Sequence, residues 1–391
     1  MRSKILPCDL LLPLEESNQT MPSAIPFDLR PIQASDYSAL AEFCAAFPKE
    51  THPVAFWRQR FFFWWEENPS FSPDFPRGCV LLAGATIVGM FALIPSRIVY
   101  QTGERVAANM SCWRVLPEGR KYSMKMFMAL MDFAAPYPLL NTTPTKEVEA
   151  ILKRVPFVHF SRGVTAESLF IRSFKGTSWW SAIKNIVRMH HNWHPSPTPA
   201  QALLQPILHH GKQMLGFYKA RRTRGELSSV ITPDAEFDRL WQRTRQRYPF
   251  TNVRAAQDLL WFLQQNPKRH PIDLLVHRRQ GELVAFGLFT VRSTHHWPDK
   301  ESYYMLDVWS APPDRENLMP LLCHASDEAR KRGIPVLRMP HYHPVLAALL
   351  QEMAISREIP AMTGYYFPPK SGQPIADNGF YCSQNVGDWG L

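Results

Sequence analysis

Residues 111–133 read SCWRVLPEGRKYSMKMFMALMDF, and they join a strand to a helix through a short turn. The apolar residues before Pro117 are typical of a strand, and Met124 to Leu130 is a good helix-forming run. Exposed amides at a helix start, together with the positive end of the helix dipole, bind anions. Arg120 and Lys121 add positive charge there. The stretch therefore predicts a phosphate-binding turn in the first half of the chain.

The second half of the chain repeats this order of elements about 200 residues later, which indicates an internal duplication. The first elements of each copy are a helix that ends at Asn-Pro and two strands. In the first copy the predicted elements are, in order, helix 53–65, strands 79–82, 87–93 and 106–115, helix 122–133, strand 138–141 and helix 146–153. In the second copy the corresponding elements are, in the same order, helix 255–263, strands 272–277, 283–290 and 303–309, helix 318–331, strand 335–338 and helix 345–352.

This order of elements predicts an α/β (α+β) protein with two tandem domains, each a mixed, mostly antiparallel sheet flanked by helices. A length of 391 residues is sufficient for two domains of ordinary size. We predict an N-terminal tail over 1–26, a first domain over 27–198, a basic linker over 199–225 and a second domain over 226–391.

The strand that ends at Val115, the Pro-x-x-Arg turn of Pro117 and Arg120, and the following helix resemble the GNAT superfamily of N-acetyltransferases. The resemblance implies two GNAT-like domains, a thioester donor and an amine acceptor. The donor would be acyl-CoA or a phosphopantetheine-bearing acyl carrier protein, and no metal would be needed. The sequence departs from the family's motif at its two glycine positions, which are Ser123 and Lys125 here. The residues that the resemblance implies for donor binding are Val115, Gly119, Arg120, Lys121, Tyr122, Ser123 and Met124.

The equivalent turn of the second copy, residues 315–320, reads RENLMP. It has no glycine, it carries Glu316 where a phosphate would lie, and it has Pro320 inside the expected helix start. We therefore expect the first copy to bind the donor and the second to shape the acceptor site, with the acceptor entering a cleft between them.

Acylation of an amine requires a base for the amine, a donor for the oxyanion and an acid for the leaving thiolate. The resemblance places the oxyanion donor near Val115, and the catalytic candidates are Asn141, His159, Asp307 and Asp388. The Leu391 carboxylate is a further possible base, and Tyr122, Tyr365 and Tyr366 are possible acids. Each candidate also has an ordinary structural explanation, such as a cap for Asn141 or a tail charge for Asp388.

Other patterns favour structural roles. Cys112 lacks a His or Asn at informative spacing, so a packed strand residue is favoured over a nucleophile. The methionines at 124, 126, 128 and 131 suit an acyl-chain tunnel, but core packing is the default. Histidines at 190, 191, 194, 295, 296, 341 and 343 have no metal-binding motif around them. The basic runs at 219–224 and 243–247 are either solvated faces or docking sites for an acidic carrier protein or tRNA.

Composition limits the class of protein and its location. The net charge of +10 indicates a mild attraction to anions, and 45% hydrophobic residues suffice for full cores. The segment 79–95 is uncharged, but Gly84 to Thr86 divides it into two lengths typical of strands, so we predict a buried hairpin and no membrane span. Six widely spaced cysteines and no signal-peptide pattern indicate the cytoplasm.

These features predict an enzyme: an N-acyltransferase that moves an acyl group longer than acetyl to an amine of an amino acid or peptide in a biosynthetic pathway. Two alternatives stay open. One is a tRNA-dependent aminoacyltransferase like the FemABX group, in which tRNA would be the nucleic-acid partner. The other is a GNAT-like scaffold that binds a partner or lipid without turnover.

Overall fold

The computed structural model describes residues 26–161, 166–171, 225–264, 271–293, 301–334, 336–340, 355–358, 363–370, 372–375 and 379–383, with isolated positions between 184 and 211 and between 346 and 349. The helices within these ranges are α1 (Tyr37–Ala45), α2 (Val54–Trp64), α3 (Ser123–Phe133), α4 (Lys146–Leu152), α5 (Ala235–Thr244), α6 (Ala256–Gln264) and α7 (Arg315–Lys331). The strands are β1 (Phe27–Pro31), β2 (Gly78–Ala83), β3 (Thr86–Tyr100), β4 (Gly103–Val115), β5 (Leu139–Asn141), β6 (Val158–Ser161), β7 (Ala166–Ile171), β8 (Glu226–Val230), β9 (Phe250–Asn252), β10 (Asp273–Arg279), β11 (Glu282–Ser293), β12 (Glu301–Ser310), β13 (Val336–Pro340), β14 (Ile355–Glu358), β15 (Thr363–Phe367) and β16 (Phe380–Tyr381).

The strands form two sheets with the same internal order. The first runs β1-β2-β3-β4-β5-β15-β6, with β9 beside the end of β3 and β16 beside β9. The second runs β14-β7-β13-β12-β11-β10-β8. Along these two paths only β4 with β5 and β12 with β13 are parallel. The predicted pair of mixed, mostly antiparallel sheets flanked by helices is confirmed.

The two sheets exchange one strand each. Strand β7 comes from the first half of the chain, yet it lies between β13 and β14 of the second sheet. Strand β15 comes from the second half and lies between β5 and β6 of the first sheet. The division into ranges 27–198 and 226–391 stays a prediction, and neither sheet is built from one such range alone. A strand edge accepts any extended partner that offers matching N–H and C=O groups, so the chain's two halves can complete each other.

The apolar segment 79–95 is a β-hairpin, as predicted. Strand β2 pairs antiparallel with β3 up to Ala83 and Thr86. Alternate residues of the two strands enter two cores: Leu81 of β2 and Phe91 of β3 pack toward α3, whereas Val80 of β2 and Met90 of β3 pack toward α1 and α2. Helices cover both faces of the hairpin, so both faces are apolar and the run is continuous. No described helix combines the length and the apolar character that crossing a membrane would require.

Contacts between the halves are polar as well as apolar. The Arg97 guanidinium in β3 forms an ion pair with Asp258 in α6. The indole of Trp261 donates to the Phe63 carbonyl oxygen at 3.0 Å, and β9 pairs with the end of β3. The second half is therefore attached directly to the sheet that carries the candidate site.

Candidate active site

The first sheet opens where its parallel strand pair ends. Strand β4 pairs with β5 at Ala108–Leu139 and Asn109–Leu140, and then continues to Val115. On its other side β4 stays paired with β3 up to Gly89 and Val115. Among the described strands, the end of β4 therefore has one backbone edge with no strand against it. Such an edge can bind an extended ligand by main-chain hydrogen bonds.

A β-bulge lies in this open part of β4. Phe91 of β3 faces both Cys112 and Trp113, because Ala92 pairs with Ser111 and Met90 pairs with Arg114. Cys112 takes the left-handed backbone conformation, with a φ of 52°, which is uncommon for a residue other than glycine. Bulges are over-represented beside active sites because they redirect the strand.

Side chains at the bulge are packed. The Trp113 ring stacks on Phe91, with centroids 4.6 Å apart, and on Phe127 of α3. The Cys112 thiol lies 4.0 Å from that of Cys44. This hydrogen bond, with burial, raises the pKa of Cys44, so the Cys44 thiol keeps its proton. The packing supports the structural interpretation of Cys112.

The turn after β4 differs in detail from the sequence prediction. A 3-10 helix, Pro117–Tyr122, runs directly into α3. The Gly119 amide donates to the Leu116 carbonyl oxygen at 3.0 Å, and the Ser123 amide donates to the Arg120 carbonyl oxygen. Two of the amides predicted to face a phosphate are therefore occupied, because the 3-10 turn extends the helix upstream. A side chain at Gly119 would meet Leu81 and Val115 at 3.0 Å, so glycine lets the turn pack against the sheet.

Cationic side chains lie on this turn and on the first turn of α3. Arg120, Lys121 and Lys125 are exposed. The Lys121 ammonium lies over the aromatic rings of Phe27 and Tyr122, at 5.4 and 5.1 Å from their centroids. The turn therefore presents positive charge to solvent through these side chains.

The methionines of α3 divide between core and surface. Met126 is fully buried in the core of the first sheet. Met124 and Met128 are 47% and 51% exposed, and they are neighbours on one helix face at i and i+4. Core packing therefore accounts for Met126, whereas the two exposed thioethers are available to an apolar ligand.

Two of the predicted catalytic residues lie in one row across the sheet. Asn141 of β5 faces Tyr365 of β15, and Tyr365 faces His159 of β6 on its other side. Directly opposite residues project from the same face of a sheet. Asn141 is 7% exposed and Tyr365 is 2% exposed, whereas His159 is exposed. Asn141 ends β5, so the row lies next to the opening.

The Tyr365 hydroxyl contacts a carboxylate. It donates to a carboxylate oxygen of Glu149 in α4 at 2.9 Å. Burial and then the Glu149 contact raise the pKa of Tyr365 to about 12, so the phenol is protonated at neutral pH. The sequence suggested Tyr365 as an acid but missed Glu149, because their proximity depends on β15 entering the first sheet.

The other candidates are placed elsewhere. The Asp307 carboxylate in β12 is fully buried and is paired with Arg254 at 2.8 Å, away from solvent. Tyr366 is buried and bonds to Ile375, and Tyr122 is half-buried against Phe27. Asp388 and the Leu391 carboxylate lie outside the described residues, as do the histidines at 190–194, 295–296 and 341–343 and the basic run at 219–224.

A partly buried ion pair fixes the opposite face of β4. Arg114 donates to the Glu50 carboxylate at 2.7 Å and lies over the Trp57 ring. Burial acts to raise the pKa of Glu50, but hydrogen bonds from the His52 amide, the Arg114 guanidinium and the Thr51 amide outweigh it and hold the pKa at about 2. The pair ties β4 to the segment after α1.

We expect the substitution Glu50→Gln to destabilise the fold at neutral pH by about 1–3 kcal/mol, the usual cost of losing a charged hydrogen-bond partner. The folded-state pKa lies below the ordinary value of 4.5, so the stabilisation is complete above 4.5 and is lost as the pH falls toward 2. Urea unfolding of both proteins between pH 7 and pH 2.5 measures this. A difference in stability that does not shrink with falling pH would contradict the assignment.

The corresponding helix start in the second half is filled by its own side chains. The Asp314 carboxylate caps α7 by accepting from the Asn317 amide at 2.9 Å. The Asn317 side chain, itself buried, donates to the carbonyl oxygens of Ala311 and Pro312. A carboxylate at the helix N-terminus competes with a phosphate for the same amides. The start of α7 is therefore occupied by protein groups.

The sequence matches no protein-family model and no curated protein. Among solved structures, the chain is similar to a GCN5-related N-acetyltransferase from Anabaena variabilis ATCC 29413, with a TM-score of 0.52 and 10% identity over 87% of this chain and 72% of that one. It is also similar to a conserved protein of unknown function, probable N-acyltransferase, from Enterococcus faecalis V583, with a TM-score of 0.54, 10% identity and the same coverage. At this identity the likeness shows the fold, which is of the GNAT type.

Proposed function

Because the chain has a tandem GNAT-type fold, we propose that it is an N-acyltransferase that takes its acyl group from a thioester. The observation that carries the proposal is the opening between β4 and β5, which is followed in the chain by the basic turn at Arg120. A fold alone does not determine function. An open strand edge, a cationic turn and a protonated tyrosine are parts that this reaction needs.

The proposed donor is acyl-CoA or the phosphopantetheine arm of an acyl carrier protein. Its phosphates would meet Arg120, Lys121 and Lys125, and its amide-bearing arm would lie along the free edge of β4 up to Val115. Main-chain groups on a strand edge can pair with the amides of such an arm as they would with another strand. Gly119, Tyr122, Ser123 and Met124 complete the surface around the phosphates.

In the proposed reaction the acceptor amine attacks the thioester carbonyl carbon, a C–N bond forms and the C–S bond breaks. The amine loses one proton, and the leaving thiolate gains one, so the charge balances. Tyr365 is the proposed proton donor to the thiolate, and His159 is the proposed acceptor of the amine proton, with Asn141 orienting the carbonyl or the amine. The buried carboxylate of Asp307 has no part in this scheme.

The proposed acyl group is longer than acetyl, and the acceptor is an amine of an amino acid or peptide in a cytoplasmic biosynthetic pathway. Support for the longer chain comes from Met124 and Met128, which expose thioethers beside the basic turn. Flexible thioethers adapt to acyl chains of varied shape.

Replacing Tyr365 with phenylalanine is expected to lower kcat by about 10- to 100-fold, because general acid–base catalysis contributes about that much or more. Release of free CoA thiol from acetyl-, octanoyl- and palmitoyl-CoA in the presence of mixed amino acids measures turnover, and mass spectrometry identifies the N-acyl product. The matched control is Tyr366→Phe, since the Tyr366 hydroxyl bonds to Ile375 in the core behind the sheet.

CoA binding without turnover would instead indicate a binding scaffold. A tRNA-dependent activity finds less support in the described residues, because the cations of the run 243–247 have internal partners. Arg243 pairs with Glu282, Arg245 pairs with Glu104 at 3.4 Å, and Arg247 donates to the Ser310 carbonyl oxygen at 2.7 Å.

A further inference from the structure

Three sulfur atoms from three separate elements meet in the core on the α1 side of the first sheet. Cys44 lies near the end of α1, Met90 lies in β3 and Cys112 lies in the bulge of β4. The Cys44 Sγ is 3.2 Å from the Met90 Sδ and 4.0 Å from the Cys112 Sγ. The Cys112 Sγ is 3.9 Å from the Met90 Sδ. These three sulfurs, which we call the sulfur triad, form a closed triangle.

The triangle has the dimensions of a three-coordinate metal site. Bonds from thiolate sulfur to a first-row metal such as zinc are about 2.3 Å long, and an ion in the plane of three sulfurs at that distance holds them about 4.0 Å apart. Both distances that involve the Cys112 thiol agree with this spacing. The edge between Cys44 and Met90 is shorter, and the flexible Met90 side chain can lengthen it by a change of rotamer. Because the sulfurs already stand at ligand spacing, the ion needs no separate cavity.

The triad is closed on one side and accessible on the other. Cys44 and Met90 are fully buried, whereas Cys112 is half-buried, so an ion would enter past Cys112. The Arg114 guanidinium donates to the Cys44 carbonyl oxygen at 3.2 Å. A positive charge therefore lies beside a site that two thiolates and a monovalent cation would make negative, and it offsets part of the cost of burying that charge.

The ligand set selects a soft monovalent ion. Thiolate and thioether sulfurs favour Cu(I), whereas zinc sites are typically completed by further Cys, His, Asp or Glu ligands. Within the described part of the chain, no three side chains of those four types are grouped closely enough to hold a metal. We propose that Cys44, Met90 and Cys112 bind one Cu(I) ion in a trigonal site. The two thiols release their protons to solvent, two thiolate–copper bonds and one thioether–copper bond form, and the copper stays monovalent.

The proposed site does not depend on acyl transfer and is tested by metal binding alone. Anaerobic titration of the reduced, full-length protein with Cu(I), in competition with bicinchoninate, is expected to show a tightly held ion. X-ray absorption spectroscopy of this complex is expected to show three sulfur neighbours at about 2.3 Å. No binding, or a copper ion with nitrogen and oxygen neighbours only, would overturn the proposal. So would a chain that loses two hydrogens and holds no copper, because that result indicates a disulfide between Cys44 and Cys112.

Substitutions then assign the ion to the triad. Cys112→Ser is expected to weaken Cu(I) binding by about 100-fold or more, because it removes a thiolate ligand. Met90→Leu conserves volume and is tolerated by packed cores, and it is expected to weaken binding by about tenfold and to lower the sulfur count from three to two. The matched control is Cys79→Ser, which changes a buried thiol on the other face of the same sheet that donates to the Met126 carbonyl oxygen. Full affinity in Cys112→Ser, an unchanged sulfur count in Met90→Leu, or an equal loss in the control would contradict the assignment.

Discussion

Replacing Arg254 with methionine is expected to lower the free energy of unfolding by about 3–5 kcal/mol, the usual cost of breaking a buried ion pair from one side. Arg254 and Asp307 are both fully buried. The guanidinium donates to both carboxylate oxygens of Asp307, at 2.8 and 3.2 Å. It also donates to Asn252 and to Ser383 near the end of the described chain. Removing it leaves a buried carboxylate without its counter-charge.

Urea or thermal unfolding measures this effect, and the double variant Arg254→Met with Asp307→Leu is the informative comparison. Replacing a whole buried pair by apolar residues is often neutral or stabilising, so the double variant should recover most of the lost stability. If Arg254→Met is as stable as the unsubstituted protein, the pair does not hold this core together.

The same pair tests the role that the sequence suggested for Asp307. We expect Asp307→Asn to lower the stability of the protein. The pH dependence of turnover by the molecules that stay folded should be unchanged. A catalytic base would instead show an altered pH profile in a protein of normal stability.

Reversing the charge of the basic turn, with Arg120→Glu and Lys125→Glu together, is expected to weaken CoA binding by about 30- to 100-fold at low salt. Both side chains are exposed, and each reversal, by removing an attraction and adding a repulsion through water, changes the interaction with phosphate by about 1 kcal/mol in total. Because exposed charges are screened by salt, the effect should be smaller at 0.3 M than at 0.05 M ionic strength.

Titration calorimetry with CoA and with pantetheine separates the phosphate contacts from the rest of the donor. Pantetheine lacks the nucleotide and its phosphates, so its affinity should not change. Lys331→Glu, an exposed charge reversal on α7, is the matched control. Unchanged CoA affinity in the double variant would remove the basic turn from the donor site, whatever the result of the Tyr365 experiment.

The sequence by itself determined the elements and their duplication. The hairpin within 79–95, the strand before Pro117 and the helices predicted at 122–133 and 318–331 follow from apolar periodicity and from proline and glycine positions, which act over a few residues. The α/β class and the two mixed sheets follow from the order of those elements. The GNAT-type fold was predicted from the same motif and is confirmed.

Only the tertiary structure decided which strands complete each sheet and which side chains meet. The exchange of β7 and β15 brings Tyr365 between Asn141 and His159, and it brings Glu149 to the Tyr365 hydroxyl. The pairing of Asp307 with Arg254 likewise joins residues far apart in the chain. Local periodicity shows that a segment is a strand, but an open strand edge offers the same N–H and C=O groups to any partner. The choice of partner therefore depends on how the whole chain packs.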